Sequence, residues 1–289
     1  MKSLRTFLEM VKIEHSIFAL PFAMIGMMWA ARGWPGWDKF LWIVIAMVSC
    51  RTAAMAFNRI ADRHMDSKNP RTSMRAIPAG LLALRTANLY LALSILLFLV
   101  AAAMLNPLAL MLSPVALLFT LGYSLTKRFT WLCHIVLGFS LGIAPAAAWI
   151  GVRGSLNPAI VALTVAVTCW TAGFDIIYSL QDDDFDRDHG LQSIPARFGR
   201  PRALMISRLC HVVTVISLVA AGILFNTGAL YLVGVGFATA LLVYEQSLVK
   251  SHDLSKVNMA FFTLNGYVSI GVFLFAFLDL WLLPNTLRP

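Results

Sequence analysis

Apolar residues run through this chain in stretches of about 20, separated by short polar breaks. A stretch of that length, wound as a helix, crosses the hydrocarbon core of a bilayer. The pattern predicts nine spans, near residues 16–32, 40–57, 87–105, 107–125, 132–151, 159–178, 204–224, 228–248 and 258–281. Pro21, Pro114, Gly142, Pro145 and Gly173 punctuate them, as breaks do where neighbouring helices or a cavity satisfy freed backbone groups. The expected fold class is all-α: a polytopic membrane protein in which residues 1–289 form a single integral-membrane domain around a central cavity. The polar, amphipathic start M-K-S-L-R-T-F-L-E-M-V-K lacks the form of a cleaved leader.

Composition agrees. The chain is 59% hydrophobic and 13% charged, with a mean hydropathy of +0.77, which excludes an ordinary soluble domain. Its net charge of +9 would suit nucleic acid in a soluble protein. Here it follows from basic loops on one side of the membrane, and no nucleic-acid partner is expected. Lys2, Arg5, Lys12, the Arg59–Arg85 group, Lys127, Arg128, the Arg187–Arg208 group, Lys250 and Lys256 share that side. Arg32, Lys39, Arg153 and Arg288 lie on the other. The bias puts the N-terminus in the cytoplasm and, after nine spans, the C-terminus outside. The four cysteines are scattered through apolar stretches without metal spacing and read as small buried hydrophobes.

The acidic residues are few and unevenly placed. Asn58, Asp62 and Asp66 recur every four residues after the second span; Asp175, Asp182, Asp183, Asp184, Asp186 and Asp188 follow or end the sixth. Together these stretches hold eight of the chain's 14 acids. Spacing of four stacks side chains on one helix face. Carboxylates packed so closely repel one another, and a hard divalent cation, Mg2+ or Mn2+, relieves the repulsion with oxygen ligands alone. Two such clusters facing each other would grip a diphosphate through bridging metal ions; the plainer reading is a polar loop at each helix end. Ile-Pro-Ala follows each cluster, at residues 77–79 and 194–196, which hints at a parallel internal repeat of about 16–125 and 132–248.

Basic residues fit an anionic substrate. Arg71 and Arg75 follow the first cluster, and guanidinium groups pair with phosphate through two donors. Lys127 and Arg128 sit at a loop tip just after Tyr123. Arg51 lies within the second span, two turns deeper than Asn58, and needs a partner on another helix or an anionic substrate group. Asp175, one turn before Tyr178, shares its reach toward the same cavity. Glu14 with His15 suits a helix-start interaction, and His134 and His211 suit structural roles.

The two motifs, N58-x-x-x-D62-x-x-x-D66 and D175-x-x-Y178-x-x-x-D182-x-x-x-D186, resemble the paired motifs of the UbiA superfamily of intramembrane aromatic prenyltransferases. N-P-R-T-S-M-R-A-I-P-A-G at 69–80 and Y-S-L-T-K-R at 123–128 are similar to further signatures of that family. The resemblance covers essentially the whole chain. It implies a helical bundle in the bacterial inner (plasma) membrane, open to lipid, with its site on the cytoplasmic side. It implies Mg2+, as two ions bridging a polyprenyl diphosphate, held by Asn58, Asp62, Asp66, Asp182 and Asp186. Arg71, Arg75 and Arg128 would grip phosphate, with Lys127 and Tyr123 near the reacting carbon. Arg51 would pair with the carboxylate of a hydroxy-aromatic acceptor of the 4-hydroxybenzoate type, for quinone synthesis. A dihydroxynaphthoate acceptor for menaquinone carries the same carboxylate. A transporter would bind ions at mid-membrane, whereas these acids gather at one rim. Phosphotransferases built on D-x-x-D-G-x-x-A-R lack a match here.

Overall fold

The computed structural model describes residues 2–11 and 18–282; Lys12, Glu14, His15 and Arg288 lie outside them. Thirteen helices follow in order: α1 (Lys2–Val11), α2 (Leu20–Ala31), α3 (Trp37–Ala61), α4 (Arg63–Lys68), α5 (Leu84–Leu105), α6 (Pro107–Thr126), α7 (Cys133–Arg153), α8 (Ile160–Ser179), α9 (Asp183–Asp188), α10 (Ile194–Phe198), α11 (Arg200–Leu224), α12 (Ala229–Leu248) and α13 (Asn265–Leu282). A 3-10 turn, Leu180–Asp182, links α8 to α9, and a π-helical turn, Met259–Leu264, runs into α13. The fold is all-α. Among the described residues the only β-type pairing is one bridge, Lys250 to Asp253.

Among the described residues eight helices are long and apolar enough to cross a membrane, where the sequence pattern suggests nine spans. The first expected span appears among the described residues as the 12-residue α2, whose first turn carries Pro21, a residue pre-set for a helix start. Pro114 and Pro145 do not end their helices: α6 and α7 run through them. Neighbouring helices can offset the lost ladder bond of an intramembrane proline. Local chemistry explains other boundaries. Asn106 opens α6: its Oδ1 accepts from the Ala109 N–H at 2.9 Å, with Pro107 next in line. Its Nδ2 donates to the Ile150 and Gly151 carbonyls at 2.8 and 3.1 Å, tying α6 to α7.

Helix α7 is the hub, packed against α2, α6 and α8, while α8 also carries α11. Small residues allow the closest approach. A Cβ on Gly138 would lie 2.2 Å from the Thr168 carbonyl oxygen, so no larger residue fits there without moving α8. Aromatic and branched side chains fill the core on the other side of α8, with Phe22, Trp29, Trp170 and Tyr231 almost fully buried. Large apolar residues point outward along the long helices, among them Leu89, Leu96, Met111, Leu118, Ile216 and Ile223. Such a surface would aggregate in water and is satisfied by lipid. The protein is an integral membrane protein. Inside, a cavity of about 950 Å³ is lined by α3, α5, α6, α7 and α8, and by the connections beyond α3 and α8.

Candidate active site

Both acidic clusters sit past the C-terminal ends of long helices, α3 and α8, where backbone carbonyl dipoles already disfavour negative charge. Cations gather around them accordingly. Asp62 accepts from Asn58 Nδ2 at 3.0 Å and from Arg128 Nη2 at 3.4 Å. The same Arg128 nitrogen donates to the Ala61 carbonyl at 2.7 Å. Burial raises the Asp62 carboxyl above its ordinary range, and the Asp66 charge adds to this; Arg128 and Lys127 oppose both. Asp66 is buried; its Oδ1 accepts from Arg75 Nη1 at 2.7 Å, and its Oδ2 has no hydrogen-bond donor among the described residues.

The second cluster divides. Asp182 and Asp186 line the cavity. Asp183 and Asp184 face away, where Arg200 holds Asp183 through Nε and Nη2, each at 2.8 Å, and Arg187 pairs with Asp184. That clamp fixes α9 against α11 and leaves Asp182 and Asp186, the two acids of this stretch expected as metal ligands, on the cavity side.

Arg71, in the loop after the first cluster, reaches across to the second. Its Nε donates to Asp182 Oδ1 at 2.9 Å, its Nη2 to Asp182 Oδ2, and its Nη1 to the Tyr178 hydroxyl at 3.0 Å. Asn69 Nδ2 adds a bond to Asp182 Oδ1 at 3.1 Å. Burial lowers the affinity of the Arg71 guanidinium for its proton, but the Asp182 contacts outweigh that and hold it above its ordinary range. Lys127 reaches Asp186 from the α6–α7 turn, with Nζ 2.8 Å from Oδ1. Asp186 also accepts from Ser193 at 3.0 Å. Tyr123, Arg128 and Asp175 line the same cavity, and so does Arg51, which donates from Nη1 to the Val11 carbonyl at 3.1 Å. The intramembrane partner expected for Arg51 is thus, in part, a carbonyl of α1.

The chain matches the UbiA prenyltransferase family over residues 19–267. The chain belongs to the UbiA prenyltransferase family. It is 31% identical over 253 residues to a 4-hydroxybenzoate octaprenyltransferase of Vibrio atlanticus, covering 87% of this chain and 88% of that one. It is 30% identical over 281 residues to the protein of that name from Vibrio cholerae, covering 96% and 98%. A UbiA homologue from Aeropyrum pernix superposes with a TM-score of 0.85 at 34% identity, over 92% of this chain and 98% of that one. A UbiA homologue from Archaeoglobus fulgidus, solved with DMAPP and Mg2+, shares the fold with a TM-score of 0.75 at 20% identity, over 95% and 99%.

Two cavity residues of this UbiA family member escape a reading of spacing alone. His134, read from sequence as structural, lines the cavity, and its Nδ1 lies 2.6 Å from Asp175 Oδ2. On the other side of the ring, the Ile194 N–H donates to His134 Nε2 at 3.3 Å. Arg59 also lines the cavity and donates to Asn58 Oδ1 at 3.3 Å. Neither belongs to a periodic motif; each is brought in by a different helix or by a single turn of α3. The donor set suits a hard divalent cation: carboxylate oxygens on two helix ends, one of them, Asp66 Oδ2, buried without a donor. Among the described residues no three His, Cys, Asp or Glu side chains converge into a closed cage. That is the supply Mg2+ uses when waters and substrate phosphates complete its shell.

Proposed function

We propose that the protein transfers a polyprenyl group from a polyprenyl diphosphate to the ring of a hydroxy-aromatic carboxylate of the 4-hydroxybenzoate type. The observation that carries this reading is the bridge from Arg71 to Asp182, which ties the loop after the first acidic cluster to the second, with acids of both clusters lining one largely apolar cavity. Relatives named 4-hydroxybenzoate octaprenyltransferase support the acceptor, and the archaeal homologue bound to DMAPP and Mg2+ supports the donor and the metal. The Lys and Arg bias puts this end on the cytoplasmic side.

Asn58, Asp62, Asp66, Asp182 and Asp186 would hold Mg2+, as two ions. Bound there, it supplies Lewis-acid stabilisation of the departing diphosphate. Arg71, Arg75, Lys127 and Arg128 take up the remaining negative charge, each already oriented by a carboxylate. The allylic C–O bond breaks with its electron pair on diphosphate, leaving a prenyl cation in an apolar space that excludes water. The ring carbon beside the phenolic oxygen forms the new C–C bond, and its proton passes to a carboxylate facing the cavity, with Asp182 and Asp175 both on that wall. Tyr123 and Tyr178 border the reacting groups, and Arg51 holds the acceptor's carboxylate.

The test is direct. Purified protein in lipid, with Mg2+ and octaprenyl diphosphate, is offered 4-hydroxybenzoate and 1,4-dihydroxy-6-naphthoate separately, and product is detected by mass. Prenylated 4-hydroxybenzoate is expected. Transfer to the naphthoate alone would move the protein to menaquinone synthesis. Transfer to neither would end the proposal.

A further inference from the structure

A buried polar cluster joins three of the long helices, α8, α12 and α13. Glu245 on α12, Asn265 at the start of α13 and Trp170 on α8 are each fully buried. Trp170 Nε1 donates to Asn265 Oδ1 at 2.6 Å, and Asn265 Nδ2 donates to Glu245 Oε1 at 3.2 Å. Glu245 Oε2 has no donor among the described residues. An acid inside a membrane carries a large desolvation cost, and polar groups kept there in spite of it are, by default, functional.

The cluster grips one local feature. Asn265 Nδ2 also donates to the carbonyls of Ala260 and Phe261, at 2.9 and 3.2 Å, inside the widened turn Met259–Leu264. Single π-turns interrupt a helix and often mark sites, because they redirect the side chains they carry. Here the redirected side chains are Phe261 and Phe262, and both line the cavity. The Phe261 ring lies 4.1 Å from Tyr178 in a tilted stack, 5.2 Å from Phe174 edge-on and 5.9 Å from Phe18. Tyr178 in turn accepts from Arg71, whose guanidinium lies 5.3 Å from the Tyr178 ring centre and pairs with Asp182. The wall therefore runs from the charged end, through Tyr178 and Phe261, to the apolar interior.

We infer that Glu245, Asn265 and Trp170 are positioning residues for prenyl transfer: they fix the π-turn so that the stacked Phe261 and Tyr178 rings form the cavity wall beside the allylic carbon. This rests on the reading above. A prenyl diphosphate with its head at Asp182 and its tail among apolar side chains has its first isoprene unit at this boundary. Aromatic rings attract a cation through their faces, most strongly where water is absent.

The experiment compares Phe261→Leu, Phe261→Tyr, Asn265→Leu and Glu245→Leu in lipid, following both acceptor prenylation and diphosphate release from the allylic donor, with melting temperature as a control. Phe261→Leu is expected to lower kcat about tenfold with the KM of both substrates nearly unchanged, and Phe261→Tyr to restore it. Asn265→Leu and Glu245→Leu, which both remove the Asn265–Glu245 bond, should each reproduce the kcat loss in the fraction that folds. Wild-type kcat in Phe261→Leu overturns the inference. So does an Asn265→Leu protein that melts earlier but turns over normally once folded. Should wild type release diphosphate without prenylating any acceptor, the acceptor assignment fails, and the variants' release rates still decide the role of the turn.

Discussion

Lys127 and Asp186 are 59 residues apart, yet Nζ lies 2.8 Å from Oδ1, with the Asp186 side chain almost wholly buried. The pair locks the α6–α7 turn to α9 at the end of the cavity where the acids gather. Burial by itself lowers the lysine's hold on its proton, but Asp186 more than offsets this, so the ammonium stays charged beside the site.

Removing one partner would strand the other. Lys127→Met is expected to cost about 3 kcal/mol of stability because Asp186 is left buried without a counter-charge. Lys127→Met with Asp186→Asn should recover much of that loss in melting temperature and remain inactive. Recovery of prenyl transfer in the double variant would remove Lys127 and Asp186 from the site.

Arg71 meets Asp182 through two nitrogens and Tyr178 through a third. Lysine has one nitrogen and cannot span these acceptors. Arg71→Lys is therefore expected to raise the KM for the prenyl donor about tenfold while the acceptor KM stays within twofold. Steady-state kinetics with each substrate varied in turn measures both.

Asp62→Asn should abolish transfer with folding and membrane insertion intact, and chelation of divalent cations should silence the wild type equally. A pH effect follows from burial. Because the Asp62 carboxyl is raised in the folded state, its protonated form is the better tolerated one. Its contribution to stability is present at low pH and lost as pH rises through the folded value. In metal-free protein, wild type should lose melting temperature relative to Asp62→Asn as pH climbs through and above the ordinary carboxylate range. A constant difference across that window would contradict the burial argument.

Arg51→Ala is expected to raise the acceptor KM by about tenfold or more, with little change for the donor. An unchanged acceptor KM would withdraw the reason for expecting a carboxylate on the acceptor.

Some of this was legible along the chain. Runs of apolar residues near 20 long gave the long helices, because a bilayer admits little else. The four-residue spacing of Asn58, Asp62 and Asp66 gave a shared helix-end surface, because a periodic arrangement is a local property. Nothing nearby in sequence reveals that Arg200, 17 residues on from Asp183, claims Asp183 and Asp184 and so sets them apart from Asp182 and Asp186. Likewise the tail of the chain from 258 to 281 reads as one unbroken apolar span, while a π-turn opens it at Met259–Leu264.

By itself, then, the sequence determined the class of environment, the helices and the chemistry available: carboxylates and guanidinium groups at helix ends in a chain otherwise short of charge. Only the tertiary structure decided which of those groups share a space. Arg71 with Asp182, Lys127 with Asp186, His134 with Asp175 and Asn265 with Trp170 are each pairs distant in the chain. Their meeting depends on how closely α7 and α8 approach at Gly138, and on which face each helix turns inward. Those are sums of many weak packing contacts across the whole bundle, and no short window of sequence contains them.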